Sequence, residues 1–236
     1  MTKRKTYIIT GVSSGIGKAL VEALLRREER IIGIGRNNPF QESSIYSFIE
    51  CDLSEIKQVR TLDIEFNTPE IILINNAGML GTIGRISQNG QIEYESIMNL
   101  NTIAPLILTQ KIYQKIQGKE NFTLVNISSG AARNAIPSWA GYCASKAALN
   151  MWTDCFVKEE AELGNHPKVY CVAPGVIDTN MQEHIRDAST ENFSSVKKFQ
   201  DLKSNNQLFS PEEAAERLLR LLNSSPEEVH VDLRNL

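Results

Sequence analysis

The chain has 236 residues, enough for one large domain or two small ones with a sizeable buried core. A hydrophobic fraction of 42%, a charged fraction of 22% and a formal net charge of -3 are ordinary for a globular protein and give no electrostatic case for nucleic acid or an anionic membrane. The basic start Lys3-Arg4-Lys5 lacks the apolar run of a secretory signal, and no apolar run is long enough to span a bilayer, so a cytoplasmic location is expected.

Thr6-Tyr7-Ile8-Ile9-Thr10 reads as a buried strand, and Ile16 to Arg27 carries apolar residues at helical spacing. A second strand is expected over Arg30–Ile34, with others at Ser47–Glu50, Ile71–Ile74, Phe122–Ile127, Val169–Val172 and Val229–Val231. Helices are expected over Ser54–Glu65, Ile92–Gln117, Trp139–Leu163 and Pro211–Leu222. Apolar strands alternating with helices predict a parallel sheet covered on both faces, in a single doubly wound α/β domain over residues 1–236. The polar stretch from Asp178 to Ser210 has an apolar side in Met181, Ile185, Phe193, Val196, Phe199 and Leu202, which predicts a helical lid over a pocket.

The first strand runs into Thr10-Gly11-Val12-Ser13-Ser14-Gly15-Ile16-Gly17. Glycines between strand and helix allow a tight turn and close backbone approach to a pyrophosphate, and the helix start offers free N–H groups to an anion. Gly11, Ser13, Ser14, Gly15, Ile16 and Gly17 are therefore candidate cofactor contacts. An acidic residue some 20 positions on would select NAD through the ribose, but Gly35-Arg36-Asn37-Asn38 has none. Arg36 is suited to a 2′-phosphate, so the expected cofactor is NADP(H). Asp52 and Leu53 follow the third strand and are candidates for the adenine. Asn76, Ala77 and Gly78 follow the fourth strand and are expected to line the cofactor, with Asn75 holding strands together.

Tyr142 and Lys146 stand four residues apart, on one helical face. A cation ~4 Å from the phenol at an effective dielectric of ~20 would favour the phenolate by roughly 4 kcal/mol before desolvation subtracts from it. That arrangement suits a general acid/base near neutral pH. The cysteines at 51, 143, 155 and 171 and the histidines at 166, 184 and 230 are scattered, which predicts free thiols and no metal site. Cys143, beside the tyrosine, points about 100° away on a helix and is read as packing.

Thr10-Gly11-x-x-x-Gly15-x-Gly17, Asn75-Asn76-Ala77-Gly78, Asn101, Ser129, Tyr142-x-x-x-Lys146 and Pro174-Gly175 together resemble the short-chain dehydrogenase/reductase family along essentially the whole chain. The resemblance implies a Rossmann-like fold with a seven-stranded parallel sheet, a homodimer or homotetramer, and a small-molecule carbonyl substrate. It implies Tyr142 as the acid that protonates the substrate oxygen during hydride transfer from NADPH, and Lys146 as the group that lowers the tyrosine pKa and holds the nicotinamide ribose. Ser129 would donate to the developing alkoxide, and Asn101 would hold a water that relays protons. Pro174, Gly175, Val176, Ile177 and Thr179 would hold the nicotinamide end. Ser128 competes with Ser129 for the catalytic place, and the family's spacing to the tyrosine favours Ser129.

Ile127-Ser128-Ser129-Gly130-Ala131-Ala132, Trp139-Ala140-Gly141-Tyr142-Cys143, the run from Ala173 to Gln182 and the ending His230-Val231-Asp232 are similar to the sepiapterin reductase and benzil reductase branch. This implies reduction of a vicinal dicarbonyl, with Asp232 matching an aspartate that anchors a pterin ring, or else merely ending an exposed strand. Trp139 and Met181 would give the pocket apolar walls. The alternatives are a sepiapterin reductase, a non-catalytic NADPH-binding regulator, and a dehydrogenase that reduces NAD.

Overall fold

The computed structural model describes residues 5–87 and 93–236. Lys3 and Arg4 of the basic start, and Ile92 at the expected helix start, lie outside the described residues. The first half contains β1 (Lys5–Thr10), α1 (Gly15–Leu25), β2 (Arg30–Gly35), β3 (Tyr46–Glu50), α2 (Ile56–Thr61) and β4 (Glu70–Asn75). The second half contains α3 (Tyr94–Met98), α4 (Ala104–Lys115), β5 (Phe122–Ile127), α5 (Ala140–Glu162) and β6 (Lys168–Ala173). It ends with α6 (Asn180–Arg186), α7 (Val196–Ser204), α8 (Pro211–Ser224) and β7 (His230–Asp232).

The seven strands form one sheet in the order β3-β2-β1-β4-β5-β6-β7, and every pairing is parallel. Side chains alternate across it, as the pleat requires. Tyr7, Ile9, Ile72, Ile74 and Val125 pack with Leu20 and Leu24 of α1 and Leu218 and Leu219 of α8 on one face. Ile8, Ile71, Leu73 and Leu124 pack with Leu108 and Ile112 of α4 and Phe156 of α5 on the other. With both faces buried, the strands are continuously apolar rather than alternating, which is why they were visible in the sequence. The start of α8 follows its local chemistry too. Ser210 and Glu213 form a reciprocal capping box and Pro211 fills the first turn, where its missing N–H is harmless.

The chain leaves β1 toward β2 and β3, then returns to place β4 on the other side of β1. Crossovers diverging from neighbouring strands open a crevice at their carboxyl ends, and this switch point positions the site. Asn75 at the end of β4 serves the sheet. Its Nδ2 donates to Asn126 Oδ1 at 2.8 Å and Thr109 Oγ1 at 3.3 Å.

Two expected helices differ. The one expected over 92–117 is divided, with a π-helical turn at Asn99–Ile103 between α3 and α4. Pro105 has no N–H to donate to the carbonyl four residues back, that of Asn101, so the ordinary ladder cannot continue there. The helix expected over 54–65 is only α2, because Leu62 turns to extended backbone at ψ 129°. Beyond it, Lys115 Nζ donates to Asp63 Oδ1 at 2.7 Å and Glu65 Oε1 at 3.0 Å, holding the segment as a loop.

Candidate active site

The turn after β1 depends on two glycines in different ways. Gly11 has φ +73°, and a Cβ there would lie 2.9 Å from Ala77 Cα. Gly17 has ordinary helical backbone, but its Cβ would meet the Gly11 carbonyl oxygen at 2.2 Å and Asn76 Nδ2 at 2.5 Å. The space is held by hydrogen bonds. Thr10 Oγ1 accepts from Asn76 N at 2.9 Å and Ala77 N at 3.0 Å, and Asn76 Nδ2 donates to the Thr10 and Gly11 carbonyls at 2.9 and 3.1 Å. Gly17→Ala is therefore expected to lower stability by about 1–3 kcal/mol through overpacking and to weaken dinucleotide binding together with it. Thermal melts with and without NADPH check this, and a wild-type melting temperature with wild-type binding would contradict it.

α1 begins at Gly15 with no side chain capping its first N–H groups, leaving them to face a cavity of about 960 Å³. The cavity runs from Gly11, Ser13, Ser14, Gly15 and Ile16 past Arg36, Asp52 and Leu53, then along Asn76, Ala77 and Gly78 to Tyr142 and Lys146. Pro174, Gly175, Val176, Ile177 and Thr179 border its far side. An elongated crevice with bare helical N–H groups, side-chain-free glycine turns and a cation at one end fits a nicotinamide dinucleotide. Arg36 is mostly solvent-exposed, and its Nη1 stands 4.0 Å from Asp52 Oδ2, a weak surface pairing that a phosphate could displace. Asp52 is held below the usual carboxylate range, chiefly by the Ser54 hydroxyl, which donates to it at 2.7 Å.

Tyr142 and Lys146 project from the first turns of α5 and are both buried. Lys146 Nζ lies 5.9 Å from the centre of the Tyr142 ring and donates to the Ile127 carbonyl at 2.8 Å. Burial pushes the Tyr142 phenol above its usual range, countered in part by hydrogen bonding from Ser129. Burial pulls Lys146 down to about 8. Burial is the largest influence on both groups, opposite in sense to the pull of a cation on the phenol.

The serine pair divides as the alternation of a strand end requires. Both border the cavity, but the Ser128 hydroxyl is engaged, donating to Asn150 Oδ1 at 2.5 Å, while Ser129 Oγ accepts from Ala131 N at 3.1 Å. The Asn101 side chain is held on both sides of its amide. Its Oδ1 accepts from Met79 N at 2.9 Å, and its Nδ2 donates to the Met79 carbonyl at 2.8 Å and to Ser145 Oγ at 3.0 Å. Fully buried, it does not itself border the cavity, and its amide straps the loop after β4 to α5. Gly17 likewise lies outside the wall and acts by shaping the turn.

The segment 178–210 packs onto Trp139. Phe193 stacks on the indole at 5.3 Å, Phe199 lies at 5.5 Å, and Tyr142 meets it edge-on at 5.9 Å. Asp178 ties the two lid helices together, pairing with Arg186 of α6 at 3.3 Å and with Lys203 of α7. Trp139 and Met181 border the cavity, as do Ile185 and Phe199 from the apolar side of the lid and Gln182, which carried no expectation. Asp232 does not, because its carboxylate is turned onto Arg234.

The short chain dehydrogenase family model matches residues 5–190. The chain belongs to that family. The benzil reductase ((S)-benzoin forming) of Bacillus cereus is 34% identical over 232 residues, covering 92% of this chain and 93% of the relative. The sepiapterin reductase of Bos taurus is 28% identical over 256 residues, covering 97% and 94%. The solved structure of the YIR035C short chain dehydrogenase/reductase from Saccharomyces cerevisiae superimposes with a TM-score of 0.82 at 25% identity, covering 97% of this chain and 96% of that one. This short-chain dehydrogenase is accordingly an oxidoreductase of CH–OH and C=O groups that uses a nicotinamide cofactor and a small-molecule substrate. Among the described residues, no helix is long and apolar enough to cross a membrane, and no group of three metal-ligating side chains occurs.

Proposed function

We propose that this short-chain dehydrogenase is an NADPH-dependent reductase of ketones, acting on 1,2-dicarbonyls of the benzil type. One observation carries the chemistry: Ser129, Tyr142 and Lys146 stand on one wall of the same cavity that the glycine turn opens onto. A regulator that only bound the cofactor would have no need of that buried set.

The nicotinamide, when bound, supplies the hydride. The phenol of Tyr142, held in its protonated form at neutral pH by burial, gives its proton to the substrate oxygen. The Ser129 hydroxyl donates to the same oxygen as negative charge develops there, the oxyanion-stabilising part of the task. Lys146 favours the phenolate left behind. Its cation, unneeded by the resting phenol, gains value only when charge appears on Tyr142. A protonated phenol in the resting site suits reduction better than alcohol oxidation, which needs a base at that position. Trp139, Phe199 and Met181 keep this end of the cavity apolar, as flat aryl substrates require.

NADPH follows from Arg36. Its exposed guanidinium stands at the end of β2, where no carboxylate is present to receive a ribose hydroxyl. Arg36→Ala should narrow the NADPH-over-NADH ratio of kcat/KM by about 10- to 150-fold, the worth of a charge-assisted contact of ~1.5–3 kcal/mol. An unchanged ratio would mean that another group reads the phosphate.

For assembly, exposed Met151 on α5 and exposed Leu163 just past its end favour a homo-oligomer built over that helix. The second substrate reading, a pterin side-chain ketone, draws on the similarity to sepiapterin reductases alone. The engagement of Asp232 speaks against it.

A further inference from the structure

The side chain of Arg36 is little constrained by its neighbours. Its pairing with Asp52 at 4.0 Å is weak and exposed, so where the guanidinium stands depends on how the backbone after β2 is held. On one side that backbone is fixed to the sheet, because the Gly35 carbonyl accepts from Cys51 N at 2.8 Å. On the other side the chain leaves the sheet through Asn37, Asn38 and Pro39, all exposed, to half-buried Phe40.

This short run is stiffened by its own chemistry and tied back to the sheet by one side chain. Pro39 fixes its own φ and steers Asn38 toward extended backbone. Asn38 Oδ1 accepts from Phe40 N at 3.1 Å, closing an Asx turn. The same oxygen accepts from the Tyr46 hydroxyl at 2.9 Å. Tyr46 begins β3, pairs in register with Ile31 and is 1% exposed. Its hydroxyl lies over Gly33 of β2, where a Cβ would meet it at 2.8 Å, and Phe40 packs edge-on against its ring at 5.5 Å. Gly33 has no positive φ, so its missing side chain serves that space rather than a turn. Burial and nearby Glu42 push the phenol up to about 12, which keeps it a donor across the working pH range.

We propose that Tyr46 is a positioning residue for cofactor selection: through Asn38 it ties the 36–40 loop to the sheet, so that Arg36 meets the 2′-phosphate from backbone already in place. This rests on the NADPH reading above and deepens it. An arginine on a loose loop would lose backbone as well as side-chain freedom on binding, whereas one on a held loop loses only the latter. Neither Tyr46 nor Asn38 borders the cavity, so the contacts that NADPH and NADH share are made by other groups. The effect of the tie therefore falls on the phosphate alone.

Dissociation constants of NADPH and NADH, read from the fluorescence of the bound nucleotide with no ketone present, keep the outcome separate from turnover. Tyr46→Phe retains the ring and removes only the hydroxyl. It should weaken NADPH by about 3- to 10-fold, within the worth of one neutral hydrogen bond, and leave NADH within about 2-fold. Asn38→Ala, at an exposed position outside the core, should reproduce that loss. In an Arg36→Ala background, Tyr46→Phe should shift neither nucleotide by more than about 2-fold, because the group it positions is gone. NADPH affinity unchanged by Tyr46→Phe and Asn38→Ala, equal losses for NADPH and NADH, or the same loss with Arg36 absent would each overturn the role of Tyr46. Wild-type protein that binds the two nucleotides equally would instead remove the NADPH reading itself, and the proposal with it.

Discussion

Tyr142→Phe is expected to lower ketone reduction by at least 10²- to 10⁴-fold, the usual contribution of a positioned general acid, while NADPH binds as in wild type. The substitution keeps the ring that meets Trp139 edge-on at 5.9 Å and removes only the O–H. Among the described residues, no hydrogen bond that holds the lid or the glycine turn passes through that oxygen, so fold and cofactor affinity should stand. The pH profile adds a second check. Because burial raises the phenol above its ordinary range, the acid form persists through neutral pH, and kcat in the reductive direction should be flat there and fall only on the alkaline side. Substantial turnover by Tyr142→Phe, or a wild-type profile that rises toward alkaline pH, would remove the tyrosine from the role of acid.

Lys146→Met is expected to inactivate the enzyme and stabilise it. The lysine titrates at 10.5 when unfolded and at about 8 in the folded protein, where burial disfavours its charge. Between those values the unfolded chain holds a proton that the folded protein has released, so this residue's contribution to stability rises with pH from 8 to 10.5. Below 8 the folded protein carries the full penalty, about 3 kcal/mol. Methionine removes that penalty and also the bond from Nζ to the Ile127 carbonyl, which returns about 1 kcal/mol against it. The net gain of about 2 kcal/mol at pH 7 corresponds to a melting temperature raised by about 4–8 °C in a domain of this size. At pH 10.5 the advantage should have disappeared. A lower melting temperature for Lys146→Met at pH 7 would show that the ammonium is compensated by something other than Ile127. A charge that is costly at rest and useful only as the phenolate forms is the usual compromise between stability and activity.

What was legible in the sequence is what local chemistry determines. The glycine turn could be read because strand, turn and helix follow one another within a few residues, and the same holds for Tyr142 and Lys146 on one helix face. The sheet was legible because strands buried on both faces are apolar throughout. The features that escaped depend on distant partners. The π-helical turn around Asn101 arises from Pro105 and from the strap to Met79 and Ser145, which a helical period cannot register. Pro105 was the available signal. The pairing of Asp232 with Arg234 lies two residues along the chain, yet only its position against Gly175 shows which partner meets the cavity. The electrostatics of Tyr142 depend on distant partners too. Spacing places a cation near a phenol, but burial by the lid and Trp139 determines which way the proton equilibrium moves.

The most direct test of the central claim is the loss of NADPH absorbance when benzil is added to the purified wild-type protein, with NADH run in parallel. Steady oxidation of NADPH, slower oxidation of NADH, and formation of the corresponding hydroxyketone are expected. NADPH that binds and stays reduced with both benzil and sepiapterin would contradict it.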